Sequence, residues 1–414
     1  MLDRVLIKNI GSLFFTKFAG YLIPLVSLPY LVRTLTPEGY GILGFTLAII
    51  NYFVMFVNFG FDLSATKRIA NSSTCINEIS KIYWNVISIK SIFSISGLII
   101  LFFINNMFFS QQDGMLLYLA YISVMGAVIY PQWLFQGKES LGFISIFTVV
   151  TQLFSLVLYF ICVNDSSDVD LAILINSLQS VVVGIIACVI IYQRRWIVYK
   201  KPEWKFIKQL TLDSFNLFVS TSAISFYTTS SSVILGFISG PVAVGYFVAA
   251  NKLVSAVNGM LSPLFISFYP RINKELKVSK EAAVTLIRYV MKLQFYVSMP
   301  LVIMIFFLSP FIVNVLYGDD YIESVTILRI LCVVPLVVGF SNIFAVQVLI
   351  TFGYSHEYRN NYIISAIIGM IMIIFFTKWY GTEGLSVAIV LIEMLVVMLM
   401  ARTIVRKNIP LFKS

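Results

Sequence analysis

Charge is scarce in this chain. Asp, Glu, Lys and Arg make up 12% of its 414 residues, against about 25% in a soluble globular domain. Histidine is all but missing: His356 is the only one, so a Ser-His-Asp triad has no room for variation and a multi-histidine metal centre has no ligands. The four cysteines, at 75, 162, 188 and 332, are scattered without a C-x-x-C pair, which removes disulfide scaffolds and zinc knuckles. No cofactor is expected. Acids are outnumbered, 19 against 29 bases, but no aromatic-basic module accompanies the surplus, so nucleic acid is not an expected partner.

What the chain has is apolar length. Hydrophobic residues are 59% of the total and the mean hydropathy is +0.92. A bilayer core takes about 20 apolar residues per helix. The sequence divides into runs of that size near 10–32, 40–61, 83–104, 114–134, 141–163, 171–192, 214–237, 243–268, 289–314, 324–350, 361–380 and 384–404. Their continuous apolar character excludes a membrane β-barrel, whose strands alternate, and leaves helices as the spanning structure. The expectation is an all-α polytopic membrane protein of about 12 transmembrane helices. The apolar N-terminus reads as a retained first helix, because Lys17 interrupts it and no cleavage pattern follows.

The connectors sort by charge. Of the 29 Lys and Arg, 22 fall in connectors on one side and two, Arg33 and Lys378, on the other. By the positive-inside rule both termini are cytoplasmic. The longest connector, 193–213, separates an N-terminal six-helix lobe, 1–192, from a C-terminal one, 214–414. A faint repeat supports two lobes: Thr36-Pro37-Glu38-Gly39-Tyr40-Gly41 joins the first two helices, and Gly240-Pro241-Val242-Ala243-Val244-Gly245-Tyr246 joins the seventh and eighth.

Five bases remain inside spans: Lys17, Lys90, Lys252, Lys292 and Arg329. A lysine at the centre of a spanning helix costs about 2.5–3.5 kcal/mol on insertion scales. Lys90 and Lys292 fall near helix ends, where a long side chain can snorkel to the headgroups. Lys252 is the deepest, beside a stripe of Asn251, Ser255, Asn258 and Ser262 on one helical face. Asn51, Asn58 and Asp62 are expected along one face of the second helix, and hydroxyls crowd the seventh. Any one such group is well explained as a bridge between packed helices, worth about 0.6 kcal/mol. Together they describe a wet, cationic chamber suited to an anionic guest with a large polar part. Glu393, near the centre of the last helix, is a candidate for pairing with a lysine or for binding a coupling cation, as is Asp62.

These residues fall in a familiar order. Asn9-Ile10-Gly11-Ser12-Leu13, Leu28-Pro29-Tyr30-Leu31-Val32-Arg33, Phe59-Gly60-Phe61-Asp62, Pro131-Gln132-Trp133-Leu134-Phe135-Gln136-Gly137-Lys138-Glu139, Ala249-Ala250-Asn251-Lys252-Leu253 and Gly381-Thr382-Glu383-Gly384 together resemble the Wzx-type polysaccharide flippases over nearly the whole chain. Lys17 departs from that pattern, where an uncharged polar residue is expected. The resemblance implies a MATE-like fold in two six-helix lobes, in the bacterial inner membrane. It also implies translocation of undecaprenyl-pyrophosphate-linked O-antigen repeat units, with an O-antigen polymerase and a chain-length regulator as working partners. In that frame Lys17, Lys252 and Arg329 are candidates to neutralise pyrophosphate. Asn51, Asn58, Asn251, Ser255 and Asn258 are candidates to line the sugar path. The rival readings are a MATE-like small-molecule exporter and an O-antigen polymerase or ligase; the short connectors opposite the basic side speak against the enzyme.

Overall fold

The structure is a computed structural model describing the backbone of residues 4–72, 75–266 and 268–412. Side chains at 4–19, 21, 112–113, 216, 220–221, 223–224, 226–227, 262–264 and 266 lie outside the described ones. The regular elements among the described residues are all helical. They run α1 (Arg4–Asn58), α2 (Phe61–Asn71), α3 (Ile76–Phe108), α4 (Gln111–Ile129), α5 (Gln132–Gly137), α6 (Leu141–Cys162), α7 (Val169–Gln193) and α8 (Trp204–Ile266). After these come α9 (Tyr269–Val278), α10 (Lys280–Tyr317), α11 (Glu323–Leu331), α12 (Val334–Asn342) and α13 (Ser355–Arg406), with a π-helical stretch, Ile343–Ile350, before the last.

Nine helical stretches among the described residues are long and apolar enough to cross a membrane. Three of them contain a sharp bend, at Thr36, Gly240 and Gly381, so that each can cross twice; this fits the expected twelve. The helices are dressed inside out. Ile95, Ile99 and Phe103 of α3, and Ile303, Phe307 and Phe311 of α10, are exposed at four-residue spacing. Asn85, Lys90 and Ser94, and Gln294, Ser298 and Ser309, are buried on the same two helices. An apolar outside over a polar inside is the arrangement for a hydrocarbon solvent, where polar groups must find partners within the protein.

Contacts group the chain into two compact units, Met1–Ser27 with Leu43–Ser222, and Leu28–Ile42 with Ala223–Ser414. The first packs around Phe61, Ile69, Ile79, Trp133, Phe135 and Leu210, and the second around Ile272, Ile287, Val348, Met400 and Ile404. Residues 28–42 join the second unit through a reciprocal glycine contact. A Cβ on Gly41 would stand 1.8 Å from the Pro241 carbonyl oxygen, and one on Gly245 would stand 2.0 Å from that of Pro37. Arg33 adds to this by donating from Nε to the Leu316 carbonyl (3.0 Å) and from a terminal nitrogen to that of Val315, among the last carbonyls of α10, which lack helical partners.

Two expectations change, those for Asp62 and for Lys90. The second apolar run does not carry Asp62 on the face of Asn51 and Asn58. Phe59 and Gly60 take left-handed φ values of 42° and 74°, ending one helix and starting α2, so Asp62 sits in the first turn of a separate helix. The run 324–350 is one helical stretch long enough to cross, Glu323–Ile350, built of α11, α12 and the π-helical stretch in tandem, with Pro335 in the first turn of α12. Lys90 does not snorkel: it is 1% exposed.

Candidate functional site

Unit 1 holds a charged centre that follows from one proline. In a continuing helix the Ala127 carbonyl would accept from the N–H of residue 131, but residue 131 is proline and has none. Helix α4 accordingly stops at Ile129, with the Tyr130 amide donating to Gly126 as its last bond. The Lys90 ammonium, from α3, donates to the stranded Ala127 oxygen at 2.7 Å. A cation at a helix C-terminus also meets the negative end of the macrodipole, and Asp62 in the first turn of α2 meets a positive one. The two lie within electrostatic reach of each other, yet no ion pair joins them among the described residues. Tyr130 neighbours both Asp62 and Thr148 of α6.

The short helices beneath this centre explain the Pro131–Glu139 motif. Trp133, Leu134 and Phe135 are buried in the unit's core. A Cβ on Gly137 would come within 2.6 Å of the Ile69 side chain, so glycine lets α5 lie directly against α2. Ser64 of α2 and Ser214 of α8 share a buried hydrogen bond of 2.6 Å, and Phe59 stacks on Phe218 at 4.4 Å. The polar start of the seventh crossing is thus used, in part, for helix packing. Of its other predicted polar side chains, Ser222, Ser230 and Ser231 are buried, while Asn216, Ser220 and Thr221 lie outside the described ones.

In unit 2, the part of α8 after Gly240 carries the predicted stripe. Ala249, Ala250, Val254 and Ala256 are buried, and the backbone there is held by Tyr317 Oη donating to the Ala249 carbonyl (3.0 Å) and Ser324 Oγ to that of Tyr246 (3.0 Å). Lys252 and Ser255 are exposed, while Asn251 and Asn258 are half-buried. Lys252 is twelve residues past the bend, about 18 Å at 1.5 Å per residue, so it stands near mid-span. An ammonium at that depth requires water or a counter-charge.

The remaining predicted residues are dispersed. Arg329 is exposed on α11; its Nε donates to Ser309 Oγ at 3.0 Å and its guanidinium lies over the Phe306 ring. Glu393 is buried on α13, with Tyr362 within electrostatic reach. Asn51 is exposed and Asn58 half-buried on α1. Lys17 belongs to α1 by its backbone, but its side chain lies outside the described residues. Tyr130 is the member of the unit 1 centre that sequence reasoning did not name, and Lys90 is the one it read as a snorkelling residue. The available signal was Pro131, four residues past a carbonyl in an apolar run.

A helical bundle that is apolar outside, bent within its spans and charged at depth defines a polytopic membrane transport protein. The comparisons make this specific: the chain belongs to the polysaccharide biosynthesis protein family, whose model matches residues 6–276. It is 33% identical over 394 residues to a protein of Escherichia coli (strain K12) named "Putative O-antigen transporter", covering 95% of each chain. A protein of Shigella dysenteriae with the same name is 28% identical over 402 residues, covering 96% of this chain and 99% of that one. The fold is that of the lipid II flippase MurJ in an inward closed conformation (TM-score 0.76, 13% identity, 96% of this chain and 87% of that one). It is also that of an inward-facing multidrug resistance MATE family transporter of the MOP superfamily (TM-score 0.70, 13% identity, 95% and 96%). The protein is therefore a MATE-like membrane transporter of polysaccharide biosynthesis, not an enzyme.

Proposed function

We propose that this protein is a flippase carrying undecaprenyl-pyrophosphate-linked O-antigen repeat units from the cytoplasmic to the periplasmic leaflet by alternating access. In this reading it lies in the bacterial inner membrane with both termini cytoplasmic, and two six-helix lobes, 1–192 and 214–414, rock about the substrate. The observation that carries it is Lys252, a base near mid-span beside Asn251, Ser255 and Asn258. Hydrocarbon does not tolerate that face, whereas a pyrophosphate with sugars attached supplies a negative charge and hydrogen-bonding partners for it. The O-antigen transporters among its relatives favour this guest over the small cationic drugs of a MATE-like exporter, and an excess of intramembrane bases favours it too. Transport outward is helped by a membrane potential negative inside, by about 2.3 kcal/mol per charge per 100 mV. Asp62 and Glu393 are the carboxylates placed to couple a cation to the cycle.

The test is leaflet-resolved detection of the lipid-linked glycan in cells with the wild-type protein, without it, and with Lys252→Ala. The expected result is glycan held on the cytoplasmic leaflet in the last two, at undiminished protein level. Full delivery to the periplasmic leaflet by the Lys252→Ala variant would refute the role given to this residue, and full delivery without the protein would refute the function.

A further inference from the structure

The connector between α7 and α8 is not a slack tether. Residues 195–203 are non-helical or turn, and they are fixed across the end of unit 1 by a set of hydrogen bonds. The Val198 amide donates to Ser80 Oγ at 2.9 Å, and Trp84 Nε1 donates to the Val198 carbonyl at 3.0 Å. The Glu203 amide donates to Asn85 Oδ1 at 2.8 Å. The Trp196 ring packs on Phe135 at 5.3 Å with the Lys138 ammonium over it. One face of the strap is thereby spent on the protein.

The outward face has a definite chemistry, with Tyr199 set edge-on against Trp84 at 5.3 Å and otherwise open. Tyr192, Tyr199 and Trp204 are 84%, 74% and 70% exposed, and Lys200, Lys201, Lys205 and Lys208 are all exposed. The acids that would neutralise these lysines locally are committed elsewhere: Glu203 pairs with Lys81 at 2.8 Å, and Asp213 pairs with Arg68. Because the strap joins two membrane-crossing helices, it lies at a membrane surface. Exposed Trp and Tyr rings among uncompensated lysines, held rigid at that level, match the interfacial zone of a bilayer, where rings sit among the headgroups and ammonium groups meet lipid phosphates.

We propose that the strap and the start of α8 form a binding site for anionic phospholipid headgroups, with Lys200, Lys201, Lys205 and Lys208 supplying the charge and Tyr199 and Trp204 the interfacial anchor. This does not depend on what the protein transports. The strap would hold the end of unit 1 at the headgroup plane, so that bending falls on other parts of the chain.

The experiment is native mass spectrometry of the full-length protein released from neutral detergent with phosphatidylglycerol or phosphatidylcholine added. The wild type is expected to retain phosphatidylglycerol preferentially. The K200Q/K201Q/K205Q/K208Q variant should lose that preference by about tenfold or more, each lysine contributing several-fold. A K274Q/K277Q/K280Q variant, altered at exposed lysines in and beside α9, should keep it. Equal retention by wild type and strap variant would overturn the proposal, as would an equal loss in the α9 variant, which would make the effect one of net charge. A third arm adds undecaprenyl pyrophosphate at equal concentration. If it displaces phosphatidylglycerol from the wild type, the strap belongs to the substrate route and the lipid assignment falls. If both lipids are retained, the assignment stands.

Discussion

Replacing Lys90 by methionine keeps most of the side chain's volume and removes its charge. The side chain is 1% exposed, so no water replaces the ammonium, and the Ala127 carbonyl it serves at 2.7 Å is left without its donor. A hydrogen bond to a charged group is worth about 1.5–3 kcal/mol, and the membrane interior reduces such terms toward about 1–2 kcal/mol. A loss of about 2 kcal/mol is expected in unfolding of the purified protein from mixed micelles. If Pro131 is the reason that carbonyl needs Lys90, then Pro131→Ala restores a backbone N–H four residues on and weakens the dependence. The Lys90→Met change should then cost about 1 kcal/mol less in the Pro131→Ala background than in the wild type, a coupling that a double-mutant cycle resolves. Strict additivity of the two substitutions would refute the argument that the lysine caps a helix end opened by the proline.

The same centre makes a second forecast: Asp62→Asn should recover part of the stability lost in Lys90→Met, because it removes a carboxylate that has lost its compensating cation; no recovery in the same unfolding assay would show the two charges to be uncoupled. The glycine contact makes a third, since Gly41→Ala and Gly245→Ala each push a methyl into a proline carbonyl and should lower the thermal midpoint to a similar extent. A strongly unequal pair would contradict the reciprocal packing. A fourth concerns Thr36, held at φ 60°, ψ 172°, a region nearly reserved for glycine and costing about 1–3 kcal/mol elsewhere. Thr36→Gly should stabilise by about 1 kcal/mol, and a lowered midpoint would mean that the threonine side chain makes contacts that outweigh its strain.

Hydropathy exposed the crossings because each is a long apolar run, and charge sorting exposed their alternation. It did not expose breaks within a run. The sequence Phe59-Gly60-Phe61 is apolar throughout, and only the left-handed φ values of Phe59 and Gly60 turn the chain and give Asp62 a helix N-terminus. Lys90 was misread through a boundary. With a span starting at 83 it stands about 10 Å from the helix end, within snorkelling range; α3 begins at Ile76, and the ammonium turns inward to the Ala127 carbonyl instead of toward a helix end. The bend before Lys252, at Gly240, was legible because a proline follows it.

The faint repeat between the two inter-helix turns has more substance in three dimensions than in sequence. Only Pro37 with Pro241 and Gly41 with Gly245 agree in type at matching positions of the two turns. Yet the residues before the prolines, Thr36 and Gly240, share nearly one backbone conformation, φ 60° and ψ 172° against φ 83° and ψ 177°. Gly240 adopts it freely, while Thr36 adopts it against the preference of a β-branched residue. The strained threonine stands where the corner must match its counterpart, since each glycine meets the carbonyl of the other turn's proline and a shift in either corner would separate both contacts. Two corners that fit only each other are what duplication of a six-helix unit would leave, with the side chains free to diverge and the backbone held to a common shape by their mutual packing.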